Sequence, residues 1–243
     1  MIRAILVFAL FVFSIPIVDA LTTTQTIVLN SKRTAVASSP IAFIAGVTTV
    51  STNGTSVTSG TIDSTGANFL VVTVSDSAGG ALGSVTDNKG NDWAALGSPL
   101  TAYSTASTRV RLFFSKPTTV GSGHTVSYTG TQPAVGFAAF SNVNADPFDS
   151  EVGANGTDGS PTAGSITPSA DGALIIAGLS PLNFTPATVD SGFTLVDTSR
   201  VTDGNTIGVA MSYFIQTSAA TVNPVWTIDS GFLWSATNAV FKN

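Results

Sequence analysis

The chain has no cysteine, so it can form neither a disulfide framework nor a thiolate metal site, and lipid attachment through an N-terminal cysteine is excluded. Only 9% of its residues are charged, well under the quarter usual in globular proteins, and the net charge is −5. Lys32-Arg33 and Arg109/Arg111 are the only close basic pairs, so the clustered cations that nucleic-acid binding needs are missing. His124 is the only histidine and Glu151 the only glutamate. An acid–base pair would therefore draw on aspartates that mostly sit in turn contexts. The Gly-x-Ser-x-Gly signature of serine hydrolases is absent. These gaps point away from an enzyme, although a Ser-His-Asp set is not excluded by counting. His124, which follows Gly121-Ser122-Gly123, reads as a strand-end residue.

Long apolar runs are missing too, except at the start. Met1-Ile2-Arg3 precedes an apolar stretch from Ala4 to Ile15, then Pro16 and Val18-Asp19-Ala20. This is the pattern of a secretory signal peptide, residues 1–20, with Leu21 starting the mature chain. A spanning helix needs about 20 apolar residues, and Thr22-Thr23-Thr24-Gln25 arrives too soon. The expectation is a secreted or cell-surface protein with no transmembrane segment after cleavage. With no disulfides, stability must come from the core, and at 43% apolar content the composition argues against disorder.

What the sequence does have is short runs rich in Val, Ile, Thr, Phe and Tyr between Gly, Asn, Asp, Ser and Pro clusters, with no helical periodicity. Strands are expected near 26–29, 41–50, 56–62, 68–75, 92–96, 109–114, 124–128 and 134–141. A second set is expected near 173–179, 193–197, 206–216, 224–228 and 234–241. The two sets repeat at an offset of roughly 100 residues. Gly66 to Val72 parallels Asp171 to Ala177, and Val110 to Phe114 parallels Met211 to Ile215. His124 to Thr129 parallels Asn223 to Ile228, and Val135 to Phe140 parallels Ala236 to Phe241. The expected fold is all-β: an antiparallel β-sandwich or jelly-roll-like body of about ten or more strands, built from two pseudo-symmetric halves within one domain, residues 21–243. The first half covers about 41–143 and the second about 165–243. Residues 144–164, rich in Gly, Asp and Asn, read as a surface connector.

Four groups of residues are candidates for a site. In the turn Thr86 to Trp93, the side-chain oxygens of Asp87, Asn88, Asn91 and Asp92 are the hard ligands that Ca²⁺ prefers, although Lys89 lies among them and the spacing is not that of an EF-hand. A structural calcium is therefore weighed against a plain turn that needs residues tolerant of positive φ. The connector offers Asp146, Asp149, Glu151 and Asp158 for a cation if it folds back. Trp93 and Tyr103 flank turn-rich segments and are the best placed aromatics to present a ring to a sugar face. Trp226 and Trp234 read as core or rim. Arg109 and Arg111 alternate with Val110 and Leu112 and share a sheet face, where they are either solvated or grip an anion. Asn53, Asn155 and Asn183 head glycosylation-acceptor triplets.

The strings Ser84 to Trp93, Arg109 to Phe114 and Ala138 to Val143, with Gly164 to Ser169 and Asp190 to Thr194 in the second half, resemble secreted and phage-associated jelly-roll-like β-sandwich proteins with an internal duplication. That resemblance covers most of the mature chain and implies a fold; it carries no catalytic residues to transfer. The expected function is a non-catalytic secreted or surface module for glycan or cell-surface ligand binding and adhesion. The alternative is a self-assembling structural subunit of an appendage, surface layer or virion, and a hydrolase is a remote third.

Overall fold

The β-branched and aromatic runs fold as antiparallel strands. The computed structural model describes residues 39–51, 54–77, 83–97, 100–101, 108–182, 187–190, 192–200 and 207–243. The signal-peptide reading and the strand expected near 26–29 lie outside them. Among the described residues there is no helix, and so none long and apolar enough to cross a membrane. The strands of the first half are β1 (Ala42–Val50), β2 (Ser56–Thr58), β3 (Phe69–Ser77), β4 (Val85–Asp87), β5 (Ala94–Ala95), β6 (Leu100–Thr101), β7 (Thr108–Ser115), β8 (Val126–Thr129) and β9 (Ala134–Ser141). Those of the second are β10 (Phe148–Gly156), β11 (Leu174–Pro181), β12 (Thr188–Val189), β13 (Thr194–Ser199), β14 (Val209–Ile215), β15 (Trp226–Thr227) and β16 (Trp234–Phe241).

Each half supplies one main sheet, and the strand orders correspond: β1-β9-β3-β7-β5, with β6 also on β7, and β10-β16-β11-β14-β13. Even the irregularities match. A register shift between Phe43 and Ala45 on β1 recurs between Phe148 and Ser150 on β10. The expected duplication is therefore present in topology as well as sequence, with two adjustments. Val71 faces Phe114 and Ile176 faces Tyr213, so Val110 to Phe114 corresponds to Val209 to Tyr213, two residues from the sequence alignment but on the same face. Asn88 and Asp190 each donate a backbone N–H to, and accept one from, Thr125 and Val225 respectively, which aligns buried Val126 with buried Trp226. The sequence alignment was one residue out there.

The two main sheets share one core. Phe69, Val71, Leu112 and Phe140 meet Leu174, Ile176, Met211 and Phe241, all buried. Ring pairs cross between the sheets, Phe69 with Phe241 at 4.6 Å and Phe43 with Tyr213 stacked at 4.8 Å. The outer faces are covered as well. The small sheet β2-β8-β4 lies over Leu70, Val72, Val74 and Phe137, and β12-β15 brings Trp226 over Ala177, Leu179 and Ala210. Strands buried on both faces need apolar residues on both, which is why β3, β9, β11 and β16 read as continuous apolar and small runs rather than alternating ones.

The connector corrects one expectation. It is not loop throughout: Phe148–Gly156 is β10, an edge strand paired with β16. Its run Phe-Asp-Ser-Glu-Val-Gly-Ala-Asn-Gly has weak strand propensity, but an edge strand has one neighbour and a half-exposed face, so polar residues and glycines are tolerated.

Along the sheet interface the aromatic end gives way to a strip of small and hydroxylated residues. Equivalent residues of the two halves meet there: Ser75 hydrogen-bonds Ser180, and Thr73 packs on Gly178. A Cβ at Gly178 would lie 2.7 Å from Thr73 Cγ2. Gly178→Ala should therefore destabilise the protein by about 1–3 kcal/mol in urea unfolding through overpacking, whereas an unchanged midpoint would mean that the sheets are not held this close.

Candidate functional site

The turn singled out in the sequence is a hub of hydrogen bonds centred on Asp87. Gly90 takes a φ of 78°, which reverses the chain after β4. Asp87 Oδ1 then accepts the backbone N–H groups of Lys89 (2.9 Å) and Asn91 (3.1 Å), and Oδ2 accepts Asn91 Nδ2 (3.0 Å) and Trp93 Nε1 (3.1 Å). Asn88 Oδ1 accepts the N–H of Thr125, and Asn91 Oδ1 those of Thr118 and Thr119. Three of the four side chains considered as calcium ligands thus give their oxygens to N–H donors of the protein itself. Asp92 points elsewhere and is exposed, with no partner among the described residues. The connector carboxylates do not converge either. Asp149 accepts Ser169 N–H, Asp158 accepts Ser160 N–H, Glu151 faces Thr237, and no group of three metal-ligating side chains occurs among the described residues. Burial pushes the Glu151 carboxyl up, partly offset by the Thr237 hydroxyl and the Arg111 charge.

Asp87 also takes part in a Ser-His-Asp line. Ser64 Oγ lies 2.8 Å from His124 Nδ1, and His124 Nε2 lies 3.4 Å from Asp87 Oδ2, longer than a formed hydrogen bond. Gly121 N–H donates to Ser64 Oγ, and Gly121 O accepts Ser64 N–H. The Ser64 hydroxyl has two acceptors within reach, Gly121 O at 3.2 Å and His124 Nδ1. In a hydrolytic triad the nucleophile lies on Nε2 and the carboxylate on Nδ1; here the order is reversed. The His124 and Asp87 side chains are fully enclosed, Ser64 is buried, and Phe137 packs edge-on against the imidazole at 5.2 Å. His124 does stand at a strand start, fixed by a bridge to Ile62, but it is a core residue rather than an edge one.

The paired arginines separate in role. Arg109 is 6% exposed and grips Asp76 through Nε (2.5 Å) and Nη2 (2.7 Å). Tyr128 donates its hydroxyl to the same carboxylate at 2.8 Å and accepts Gly83 N–H. Hydrogen bonding to Asp76 raises Arg109 above its ordinary value, and burial next to that carboxylate raises the Tyr128 phenol. Arg111 donates to the carbonyls of Leu96 and Gly97 and lies 5.7 Å from the Phe113 ring. Both do point to one face of β7, but that face lies under the small sheet, so neither the solvated reading nor a free anion grip describes Arg109.

Trp93 is half-buried against Phe137, and Tyr103 lies outside the described residues, as do Asn53 and Asn183. Asn155 sits on β10 with Oδ1 buried. Trp93 does line an open cleft of about 430 Å³ with Phe114 and Phe148, rimmed by Asp92, Lys116 and Asp146. Phe148 is 39% exposed, one of two large apolar residues so exposed among those described. Lys116 Nζ donates to Ala145 O and ties the connector across the cleft. Of these residues the sequence pointed to Trp93, Asp92 and Asp146. Phe114, Lys116 and Phe148 gave no local signal, because pairing of β5 with β7 sets Phe114 opposite Ala94 and Phe148 arrives from the second sheet.

Comparison with known proteins finds no matching family model, no matching curated protein and no matching solved structure.

Acid stability should expose the buried histidine. Burial holds the His124 imidazole below its ordinary 6.5, outweighing the attraction of the nearby Asp87 carboxylate. The folded state then binds fewer protons than the unfolded state between that lowered value and 6.5, so stability is complete above 6.5 and is lost as the pH falls through the window. Burial also acts to raise Asp87, but its hydrogen bonds from Asn91, Lys89 and Trp93 win and hold it below 3.8, so its contribution is lost only at lower pH. Thermal melts from pH 7.5 to 4.5 should show a falling midpoint that flattens in His124→Asn; an equal slope in both would refute the assignment.

Proposed function

We propose that the chain is a non-catalytic, exported or surface-exposed module that binds a saccharide in the cleft formed by Trp93, Phe114 and Phe148. The observation that carries the reading is the pairing of an apolar, aromatic floor with exposed carboxylates at its rim. Asp92 is unpartnered among the described residues, and the Asp146 side chain is 93% exposed, 3.6 Å from Lys242. A sugar ring has the complementary character: an apolar C–H face to lie on an aromatic ring and hydroxyls to donate to carboxylates. A non-catalytic role is supported by the reversed, enclosed Ser64–His124–Asp87 line, whose serine is shut away from a substrate. No metal enters the proposal, because the oxygens of the Asp87 turn serve its own N–H groups.

The structural-subunit reading has its own support in Phe148 and Leu195, exposed on the two opposite edge strands β10 and β13. Against it, the β13 edge is engaged within the molecule: Asp197 accepts the N–H of Thr48 on β1, and Thr48 Oγ1 bonds Ser199. These contacts hold the Asp197 and Ser199 side chains against β1, so they are not free for a neighbouring chain.

A glycan array followed by titration calorimetry tests the leading reading. Phe148→Ala and Asp92→Asn should each weaken binding about tenfold, or ~1.4 kcal/mol, with the melting temperature unchanged; a full-strength Phe148→Ala would remove the cleft from consideration. Light scattering and electron micrographs should show small discrete particles, whereas filaments or lattices would favour the subunit reading. Adding EDTA or Ca²⁺ should move the melting temperature by less than about 1 °C, since only a ligand of the folded state shifts it.

A further inference from the structure

A second cleft lies in the other half, beside the counterpart of Trp93. Trp93 stands just before β5, which pairs with β7 through Ala94 and Phe114; Phe193 stands just before β13, which pairs with β14 through Thr194 and Tyr213. Both follow turns with the same bonds, at Asn88 and Asp190, and the same left-handed glycine two residues on, Gly90 (φ 78°) and Gly192 (φ 95°). Around Phe193 lies an open cleft of about 230 Å³ formed with Phe214, Pro224, Gly192, Asp190 and Asn223. Phe214 occupies the position that Ser115 holds in the first half, and its ring packs beside Phe193 at 5.5 Å. The first cleft borrows Phe148 from the second half for its extra ring; the second cleft supplies its own.

The rim is polar here too. Asp190 Oδ1 accepts Val225 N–H, while the other carboxylate oxygen has no partner among the described residues. Asn223 Oδ1 accepts the Thr162 hydroxyl, and its amide N–H₂ is likewise uncommitted. One carboxylate oxygen and one amide donor beside two rings match adjacent hydroxyls and the C–H face of a single pyranose. We infer that the Phe193–Phe214 cleft is a second saccharide subsite, so that one chain carries two sugar-binding positions, one per half. The inference rests on the saccharide reading of the Trp93 cleft. Its consequence is avidity: a polymer or a glycan-coated surface engaging both subsites is held more tightly than a short sugar that fills one.

The test is native mass spectrometry of the whole mature chain with maltotetraose, cellotetraose, chitotetraose and mannotetraose in turn, using Phe148→Leu and Phe214→Leu, which keep apolar bulk but remove the flat ring. Two sugars on the parent chain, and one on each variant, is the expected result. One sugar on the parent, lost in Phe148→Leu and kept in Phe214→Leu, would overturn the second subsite while leaving the first in place. No sugar from the panel on any chain would overturn both. Circular-dichroism melts of the two variants should match the parent to show that a lost sugar is not a lost fold.

Discussion

Thr73 and Gly178 occupy the same position in the two halves, and their contact governs how closely the main sheets can approach. In a duplicated chain whose halves face one another, residues near the approximate two-fold relation meet their own counterparts. Two threonines there would collide, and two glycines would leave a void. The chain breaks its symmetry at this row and at the next strand in a complementary way. Thr73 neighbours Gly136 in the first sheet, while Gly178 neighbours Thr237 in the second; the methyl groups of both threonines rest on Gly178, and Gly136 lies against Met211. Ser75 and Ser180 meet as equals because two hydroxyls can bond where two methyl groups could not pack. The aromatic end of the same interface, around Phe69, Phe140 and Phe241, holds the sheets apart by ring thickness, and the hydroxyl strip lets them converge.

The halves diverge most in what they bury beneath their small sheets. The first half encloses the Asp76–Arg109–Tyr128 cluster and the Ser64–His124–Asp87 line. In the second half the places of Asp76 and Arg109 are taken by Pro181 and Gly208, joined by a simple backbone bond. Val189 stands where Asp87 does. An enclosed ion pair is poor evidence for stability, since its desolvation offsets much of its attraction. What it does contribute is uniqueness: Asp76 has one geometry in which Arg109 and Tyr128 are both satisfied, and that geometry fixes where β8 sits on β3 and β7. The second half uses the bulk of Trp226 for the same purpose.

Much of this was readable in the sequence, and the failures have physical reasons. Strands such as Ala134–Ser141 and Trp234–Phe241 were expected at their observed bounds because β-branched, aromatic and small residues run unbroken between turn residues. β10 was not, because an edge strand draws its hydrogen bonds from a neighbour about ninety residues away and needs little propensity of its own. Arg109 looked like a surface residue because alternation reports which face a side chain is on, not whether another layer covers that face. The turn at Asp87 was recognised correctly as a turn, but the destination of its carboxylate depended on His124 and Trp93. Half the cleft was legible for the same reason that half was not: Asp92 and Trp93 belong to one turn, while Phe148 arrives from the other sheet.

The position of β16 bears on how the molecule is made. It follows every other strand in sequence, yet it lies at the interior of its sheet, between β10 and β11, and the segment Asn144 to Pro147 clasps the residues after it through backbone bonds to Lys242. A chain emerging from a ribosome or a translocation pore would hold β10 and β11 with a gap between them until β16 came through. In the first half β9 fills the matching gap between β1 and β3, so that sheet can close early. The second sheet therefore assembles late and all at once, and a nascent chain stalled short of Trp234 would present two unsatisfied strand edges to whatever lies nearby.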